Sequence, residues 1–429
     1  MLNNLQKQMP LISTLRSYTR SLFRYDVVAG VTVAAIAIPQ GMAYAELAGA
    51  PLAMGLYATF AAMLLFAIFS TTKRVIVGPD AAMSALTGAT LIPLANGNPE
   101  HYAALIALLA VLVGVASLVA VAAKLTFVSE FLSRPILLGY MAGLALAVIA
   151  SQGPKLFGIT DVPRSNFFGT LLHIMTNLAN SHGATLLFSI MLGIGSWLLV
   201  RYLKKVPATL LILFASIVLS WLFDFAGMGI ATVGNVPAGL PIPALPEVTF
   251  FDVQNLVVPA FAIMMVSYAN TITTARSFAA KEHNHINSSK ELAALGIASI
   301  GTGLSGGIPI AASGARTAVN EQSKAATQVA QFIAALVVGL TLLFFTPVLS
   351  YLPLAALAII IIVAILRLFD LAELKSIWHA WRSEAALAIV TVIGVTILGI
   401  FQGLLLAIFL AIINLIRKSA FPGDAVLGV

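Results

Sequence analysis

Arg316 is the residue whose type and position point most directly to chemistry, because the segments around it have the composition of a membrane interior. It falls within residues 305–320, SGGIPIAASGARTAVN. An arginine inside a membrane costs about 3 kcal/mol or more, and it therefore faces a polar cavity or a partner. Two interpretations stay open: Arg316 binds an anion, or it forms a structural pair with a buried carboxylate, for which Asp80 is the candidate.

A helix start beside this arginine would add to the attraction for an anion, and a second stretch of the chain has the same design. Residues 73–88, KRVIVGPDAAMSALTG, join a β-branched run to a Gly-Pro breaker and then to a helix-favouring segment. Pro79 is expected at the first helical position, where its missing N–H would be unpaired anyway. Such helix ends carry unpaired N–H groups and partial positive charge. Asp80 in the first turn is then either a cap that faces away from a substrate or a substrate contact.

Polar residues also interrupt two long apolar segments. In the first, Pro39 must disturb a helix, so Gln40 can offer donors and acceptors near the centre of the span; a plain packing kink is the alternative. Glu46 at the end of that span is expected at the interface. A polar run in the second apolar segment, residues 253–275, which we count below as the eighth span, has two interpretations. It lines a substrate path, which we favour, or it bonds to neighbouring helices. The run comprises Ser267, Tyr268, Asn270, Thr271, Thr273 and Thr274.

The composition excludes a soluble globular protein. Hydrophobic residues make up 60% and charged residues 9% of the 429 residues, whereas soluble proteins carry about 25% charged residues. The absence of cysteine removes thiolate chemistry and disulfides. The chain contains no HExxH motif and no paired intramembrane carboxylates or histidines. We therefore expect no enzyme, no metal site, no cofactor and no nucleic-acid partner.

Charge-free runs of about 20 residues predict an all-α polytopic membrane protein with fourteen spans in two halves. The third element of each half is interrupted, with a short extended stretch before spans 3 and 10. The expected spans are 27–45, 47–72, 79–94, 101–123, 135–151, 184–200, 206–223, 253–275, 289–304, a short helix from Ser313, 327–346, 352–366, and two helices that share 385–416.

Seven spans in each half imply that the second half enters the membrane from the opposite side, so the repeats are inverted. Interrupted helices at matching positions mark a binding site near the midplane. Nearly all Lys and Arg residues fall on one side of this topology, which places both termini in the cytoplasm. The expected units are 1–24 as a cytoplasmic lead-in, 25–223 as the first repeat, 224–249 as an exposed linker, 250–418 as the second repeat, and 419–429 as the start of a further linker. The residues from 152 to 180 are expected as the longest loop of the first half.

Several of these stretches resemble the SulP (solute carrier 26) family of anion transporters, over essentially the whole chain. The segments that carry the resemblance are DVVAGVTVAAIAIPQGMAYAELAG, PLAMGLYATF, FSTTKRVIVGPDAAMSALTG, SYANTITTARSFA, KELAALGIASIGTGLSGGIPIAASGARTAVN and YLPLAALAIIII. The resemblance implies an inverted-repeat fold shared with nucleobase permeases, in which a core (spans 1–4 and 8–11) moves as an elevator against a gate (spans 5–7 and 12–14). It also implies sulfate, bicarbonate, chloride or a dicarboxylate as the substrate.

By the same resemblance, the substrate lies between the two helix starts, with residues of the first span beside it. The expected substrate-binding residues are Gln40, Tyr44, Pro79, Asp80, Ala81, Ser313, Gly314, Ala315 and Arg316. The expected path-lining or coupling residues are Tyr268, Asn270, Thr271 and Thr274.

Three departures from the family pattern matter. Many members carry a carboxylate where this chain has Asn270, so coupling to H⁺ or Na⁺ through that position is in doubt. Ala315 replaces a serine before the site arginine. Family members usually continue into a STAS domain, and this sequence stops at Val429.

We expect a homodimeric, multi-pass protein of the plasma (inner) membrane that carries a small anion as a secondary transporter. An anion channel, a voltage-responsive relative that does not transport, and a nucleobase permease of the same fold are the alternatives.

Overall fold

The computed structural model describes residues 10–16, 18–95, 97–125, 134–159, 166–202, 208–280, 286–366 and 382–420, and these are predominantly helical. In the first half the helices are α1 (Pro10–Arg16), α2 (Arg20–Leu47), α3 (Leu52–Phe69), α4 (Ala81–Leu91), α5 (Pro99–Ala122), α6 (Arg134–Phe157), α7 (Phe167–Thr176), α8 (Gly183–Tyr202) and α9 (Ala208–Phe223). In the second half they are α10 (Phe250–Ala280), α11 (Ser288–Leu304), α12 (Gly314–Gln322), α13 (Val329–Leu340), α14 (Thr346–Leu349), α15 (Leu354–Leu366), α16 (Arg382–Leu398) and α17 (Ile400–Ala420). A π-helical turn, Thr341–Phe345, joins α13 to α14.

Many of these helices have the composition of membrane spans. Among the described residues, 6 helical segments are long and apolar enough to cross a membrane. They are α2, α3, α5, most of α6, α10 and the composite helix Val329–Leu349. Shorter apolar helices accompany them, including α4, α8, α9 and α15 to α17 in whole or in part. The protein is therefore an integral membrane protein.

Two short strands join the two halves of the chain. Strand β1 (Val77–Pro79) precedes α4, and strand β2 (Ile310–Ala312) precedes α12. They pair antiparallel with Gly78 opposite Ala311. All six strand residues are buried, as extended backbone inside a membrane must be.

The position predicted for Pro79 is wrong. Pro79 is the last residue of β1, and Asp80 is the N-cap of α4, whose first helical residue is Ala81. The reason is that the Asp80 carboxylate accepts a hydrogen bond from the N–H of Ala82 at 3.1 Å, and a proline side chain cannot do this. The helix also ends at Leu91 rather than at 94.

The irregular loop predicted for 152–180 is also wrong in part. Helix α6 continues to Phe157, and α7 occupies much of the remainder. Asn166 caps α7, because its side-chain oxygen accepts from the N–H of Gly169 at 2.9 Å. The exposed side chains of α7 include Phe168, Leu172 and Met175.

The segment 224–249 is largely exposed and is also hydrogen-bonded to the second half. Val233 N–H donates to the Leu352 carbonyl at 2.8 Å, and Ala244 N–H donates to the Leu304 carbonyl at 2.8 Å. The predicted division of 385–416 into two helices is confirmed. The break lies at Gly399, whose φ of +106° is a conformation that favours glycine.

The helices pack in two groups. In the first group α2, α3 and α5 pack against α11 and α13, and α10 packs against α5. In the second group α6 packs against α15, α16 and α17, and α15 packs against α8. Glycines permit the closest crossing: a Cβ atom on Gly55 of α3 would lie 1.9 Å from the carbonyl oxygen of Gly41 in α2.

Some predictions fall on residues outside the described ranges. These include residues 1–9 of the predicted lead-in, 160–165 of the predicted loop, the chain from 421 onward, and four of the basic residues counted for the topology, namely Lys204, Lys205, Lys281 and Arg367.

Candidate functional site

The paired strands bring the N-termini of α4 and α12 together at the centre of the bundle. The pairing continues beyond the strands, because Ser313 N–H donates to the Ile76 carbonyl at 2.9 Å and Ile76 N–H donates to the Thr317 hydroxyl at 3.1 Å. The first turn of α12 is therefore fixed to the chain that leads into α4. This is the convergence of helix starts that the sequence predicted.

The start of α12 presents backbone donors. Ser313 is the N-cap and its hydroxyl accepts from the N–H of Arg316 at 3.3 Å. Within the described part of the chain, the N–H groups of Gly314 and Ala315 donate to no protein acceptor. Gly314 is exposed and Ala315 is half-buried. Such N–H groups, at the positive end of a helix dipole, can bind an anion.

The guanidinium of Arg316 lies between the two helix starts. Its side chain is 0% exposed, and Nη2 donates to the carbonyl oxygen of Pro79 across the site. Among the described residues, Nε and Nη1 have no hydrogen-bond partner. The group packs over β1, since a Cβ atom on Gly78 would lie 2.8 Å from Nη1.

Asp80 and Arg316 do not form a hydrogen-bonded ion pair. Their charges interact, but the hydrogen bonds of the Asp80 carboxylate come from the backbone N–H groups of Ala81 and Ala82. Asp80 is therefore a helix cap, and the guanidinium keeps two donor nitrogens that the carboxylate does not occupy.

Helix α2 contributes buried polar groups beside this arginine. Tyr44 lies near Arg316 and is 5% exposed. Gln40 is 4% exposed, and its Oε1 has no partner within the described ranges. Helix α2 continues through Pro39 without interruption. One turn of helix separates Gln40 from Tyr44, so both side chains lie on the same face.

The polar run of α10 is bonded to β2. Ser267 Oγ donates to the Ile310 carbonyl at 2.6 Å, and Asn270 Nδ2 donates to the Ala312 carbonyl at 3.3 Å. Thr271 Oγ1 accepts from the Ala312 N–H at 3.0 Å. Three residues of the run therefore fix the extended backbone before α12. Tyr268 and Thr274 are buried on the same helix.

Sequence reasoning missed a buried carboxylate that binds the segment between α3 and β1. Glu291 at the start of α11 is 0% exposed. It accepts from the Ser70 hydroxyl at 2.7 Å and from the Thr71 N–H at 2.8 Å, and also from the Thr71 hydroxyl. These bonds hold the turn that leads into β1. Its position at a helix start, after Asn287 and Ser288, is a weak signal on its own.

A second carboxylate that the sequence analysis did not single out joins α2 to the second half of the chain. Asp26 of α2 is 0% exposed and accepts from the N–H groups of Ala326 and Thr327 at 2.7 and 3.0 Å and from the Thr327 hydroxyl at 2.6 Å. The Tyr18 hydroxyl also donates to it at 2.8 Å. Burial, and then this hydrogen bond, raise the pKa of Tyr18.

Asp252 is the acid of the second half that corresponds to Asp26 in the first half. Asp252 of α10 accepts from the N–H and hydroxyl of Thr249 at 2.8 and 2.7 Å. It also lies 3.3 Å from His101 Nε2, at the start of α5. Asp26 therefore contacts the segment that follows α12, and Asp252 contacts the helix that follows α4.

Among the described residues, no group of three or more His, Cys, Asp or Glu side chains is placed to hold a metal ion. What the site offers is positive charge and donors: the guanidinium, helix N–H groups and a few buried hydroxyl and amide groups.

A buried arginine between two opposed helix starts, within a bundle of apolar helices, defines the class of membrane protein that binds a small ligand among its spans. The sequence matches the sulfate permease family over residues 23–391. This chain belongs to that family.

A curated relative agrees with this assignment. A protein named probable sulfate transporter, from Mycobacterium tuberculosis strain H37Rv, is 38% identical over 419 residues, which are 98% of this chain and 75% of that protein.

Two solved structures have the same fold. Murine solute carrier 26 family member A9, an anion transporter in the inward-facing state, has a TM-score of 0.90 at 23% identity and covers 98% of this chain and 73% of that one. The transmembrane domain of the cyanobacterial bicarbonate transporter BicA has a TM-score of 0.79 at 24% identity and covers 91% of this chain and 98% of that one.

Proposed function

We propose that this protein is a secondary active transporter of a small anion, which it holds between the N-termini of α4 and α12. The observation that carries the proposal is the guanidinium of Arg316, fully buried with Nε and Nη1 unpartnered among the described residues. An unsatisfied buried donor costs about 1–3 kcal/mol, and more when it is charged. An anion that accepts from these nitrogens, and from the N–H groups of Gly314 and Ala315, offsets that cost.

The substrate belongs to the class of sulfate, bicarbonate and dicarboxylates. The names of the relatives support this class, since they include a probable sulfate transporter and a bicarbonate transporter. Each of these anions presents several strong acceptor oxygens, which suit a planar guanidinium.

The nine predicted substrate-binding residues have different roles in this proposal. Arg316 supplies charge, while Gly314 and Ala315 supply backbone donors. Pro79 accepts from the guanidinium and so orients it. The remaining five surround the anion or shape the helix starts: Gln40, Tyr44, Asp80, Ala81 and Ser313.

The fourteen spans form two inverted repeats in this proposal. Three observations support the inversion. Strands β1 and β2 pair antiparallel. Helix α2 packs on α13 as α10 packs on α5, and α3 packs on α13 as α11 packs on α5. Asp26 and Asp252 each contact the segment that follows the half-helix of the opposite half.

Transport follows an elevator mechanism in which a core of α2–α5 and α10–α14 moves against a gate of α6, α8, α9 and α15–α17. The two packing groups support this division. The paired strands make both half-helices part of one body, so the anion moves with the core. In this mechanism the polar run of α10, with Tyr268, Asn270, Thr271 and Thr274, moves with β2 and flanks the substrate path.

The proposal places the protein in the plasma (inner) membrane with both termini cytoplasmic, as the distribution of Lys and Arg favours. It further includes a homodimer and an H⁺ or Na⁺ coupling ion. Light scattering of the purified protein tests whether it forms a homodimer. Uptake measured with and without an H⁺ or a Na⁺ gradient tests whether transport is coupled to either cation.

The experiment that tests the transport function uses purified protein in liposomes and a panel of labelled sulfate, bicarbonate, fumarate and chloride. We expect saturable uptake of at least one oxyanion or dicarboxylate, accelerated by unlabelled anion inside the vesicles. Uptake that neither saturates nor responds to internal anion would identify a pore. A lack of uptake for every anion of the panel would contradict the proposal.

A further inference from the structure

The first two turns of α2 carry two exposed arginines, Arg20 and Arg24. Within the described part of the chain, neither of them forms an ion pair. The nearest carboxylate along the helix, Asp26, is buried and accepts hydrogen bonds from Ala326 and Thr327. The two guanidinium groups are therefore available to a partner outside the chain.

The two arginines belong to one exposed stripe of α2. Successive helical residues are about 100° apart, so residues 20, 24, 28 and 31 lie within about 80° of one another around the helix. The stripe continues from the arginines to Val28 and Val31, which are 60% and 46% exposed. Two charged side chains followed by two apolar ones are what a helix presents where it passes from lipid headgroups into hydrocarbon.

Two half-exposed aromatic residues flank this stripe, Phe23 on one side and Tyr25 on the other. Aromatic side chains are enriched where a span meets the membrane surface. Between Asp26 and Glu46 the helix contains no charged residue, and this length matches the roughly 20 residues that cross the hydrocarbon core. The two guanidinium groups therefore lie at the level of the lipid headgroups.

We propose that Arg20 and Arg24 bind the phosphate group of an anionic phospholipid, whose acyl chains lie along Val28 and Val31. A guanidinium binds a phosphate group through two parallel N–H···O bonds. The two arginines are one helical turn apart, about 6 Å along the helix axis, so neighbouring oxygens of one headgroup reach both. The site lies on the outside of the bundle and requires no transported anion, so it goes beyond the proposed function.

A third exposed arginine shows what distinguishes this pair. Arg201 lies in the last turn of α8, also at the end of an apolar helix. Its guanidinium carbon lies 5.5 Å from the centroid of the Trp197 ring, a distance at which a cation is attracted to the aromatic face. Arg201 is therefore a single charge that already has a partner in the protein, and it provides a matched control.

The absence of cysteine from the chain permits a test at one position. Val31→Cys is labelled with a small thiol-reactive fluorophore, and the protein is reconstituted in phosphatidylcholine with a minority of phosphatidylglycerol. Bromine atoms, which quench the fluorophore on contact, are carried by the acyl chains of one lipid or of the other. We expect phosphatidylglycerol to bind beside position 31 about fivefold or more tightly than phosphatidylcholine.

The double variant Arg20→Gln with Arg24→Gln, made in the labelled protein, should lower this ratio to about 1, because it removes both charges. Replacing both arginines by lysine keeps the charges but loses the planar fork, and it should retain part of the preference. Arg201→Gln should leave the ratio at position 31 unchanged. Because both arginines are exposed, the melting temperature of the double glutamine variant should equal that of the wild type.

A second label position tests whether the preference is local. Val218 is exposed on α9, a helix without basic residues, so a fluorophore on Val218→Cys should report a ratio near 1. A wild-type ratio near 1 at position 31 would overturn the site. So would a ratio that the double glutamine variant leaves unchanged, or an equal preference at positions 31 and 218.

Discussion

Glu46 and Lys155 form an ion pair across the boundary between the two packing groups. Glu46 Oε1 lies 2.9 Å from Lys155 Nζ, with side-chain exposures of 14% and 26%. Glu46 ends α2, in the proposed core, and Lys155 lies on α6, in the gate. The Lys155 ammonium also donates to Gln152 Oε1 at 3.2 Å. Any elevator movement of α2 against α6 must therefore break this pair.

Linking these two positions should stop transport. The chain contains no cysteine, so the double variant Glu46→Cys with Lys155→Cys can be joined by a short bifunctional thiol reagent without a background reaction. We expect uptake to fall to the level of empty liposomes after treatment with a reducible reagent, and to return on reduction.

The matched control for cross-linking joins two positions that move together. Arg74 and Glu321 lie 3.9 Å apart, and both belong to the proposed core. Cross-linking Arg74→Cys with Glu321→Cys should leave uptake intact. Full uptake by the Glu46–Lys155 cross-linked protein would contradict the elevator movement.

Removing the guanidinium should remove anion binding. Truncating one partner of a buried, hydrogen-bonded charge pair costs about 2–5 kcal/mol, so Arg316→Ala should weaken the apparent affinity for the anion by at least about 30-fold. Arg316→Lys keeps the charge but loses the planar fork, and we expect an intermediate loss. Uptake kinetics and anion-induced shifts in melting temperature measure both.

Arg74→Ala is the control for this prediction, because Arg74 is a partly exposed arginine paired with Glu321. It should have little effect on affinity. Wild-type affinity in Arg316→Ala would exclude the guanidinium from the site.

A methyl group at position 78 should displace the same guanidinium. Because a Cβ atom there would lie 2.8 Å from Nη1, we expect Gly78→Ala to shift Arg316 and reduce kcat/KM about tenfold or more, with a smaller loss of stability. For Gly193 of α8, a Cβ atom would have no neighbour within 4 Å. Gly193→Ala should therefore leave uptake unchanged and stabilise the helix by about 0.5–1 kcal/mol.

Loss of the Asp26 carboxylate charge should destabilise the protein. Asp26→Asn keeps the shape of the side chain but replaces one acceptor oxygen with an NH₂ donor. Whichever oxygen is replaced, the new donor faces other donors. At Oδ1 these are the N–H groups of Ala326 and Thr327, and at Oδ2 they are the hydroxyls of Thr327 and Tyr18. We expect the free energy of unfolding to fall by about 2–3 kcal/mol, measured by thermal melting. Tyr18→Phe removes one peripheral donor and should cost less. A melting temperature equal to that of the wild type would show that the cluster contributes nothing.

Stability should also depend on alkaline pH through Tyr18. Its pKa in the folded protein is raised by burial and by Asp26, so the neutral hydroxyl stabilises the fold below the unfolded value of about 10. This contribution is lost as pH rises towards the folded value, because the phenolate cannot donate to Asp26. Melting temperatures measured from pH 9 upward should fall more steeply for the wild type than for Tyr18→Phe.

The arrangement of the site was predictable from the sequence, because local chemistry determines its main parts. An arginine in an apolar context, a serine that can cap a helix and a Gly-Pro breaker each have local structural consequences. The convergence of the two stretches followed from their matching positions in two halves of odd span number.

The features that the sequence did not predict depend on contacts distant in the chain. Whether Pro79 or Asp80 starts α4 is decided by one side-chain hydrogen bond. The acceptors at Asp26 and Glu291 find donors in the opposite half of the chain. Helix α7 was missed because its amphipathic residues are surrounded by polar loop sequence, which hides a helix of only three turns.

The pairing of β1 with β2 has a consequence for biosynthesis. As the chain leaves the ribosome, Val77 has no partner until Ala312 has been synthesised, and Arg316 follows only after that. The first half must therefore wait in the bilayer with the backbone of its strand unpaired, at a stage when nascent chains are prone to misassemble. The backbone of β1 therefore gains its hydrogen-bond partners only after most of the chain has been synthesised.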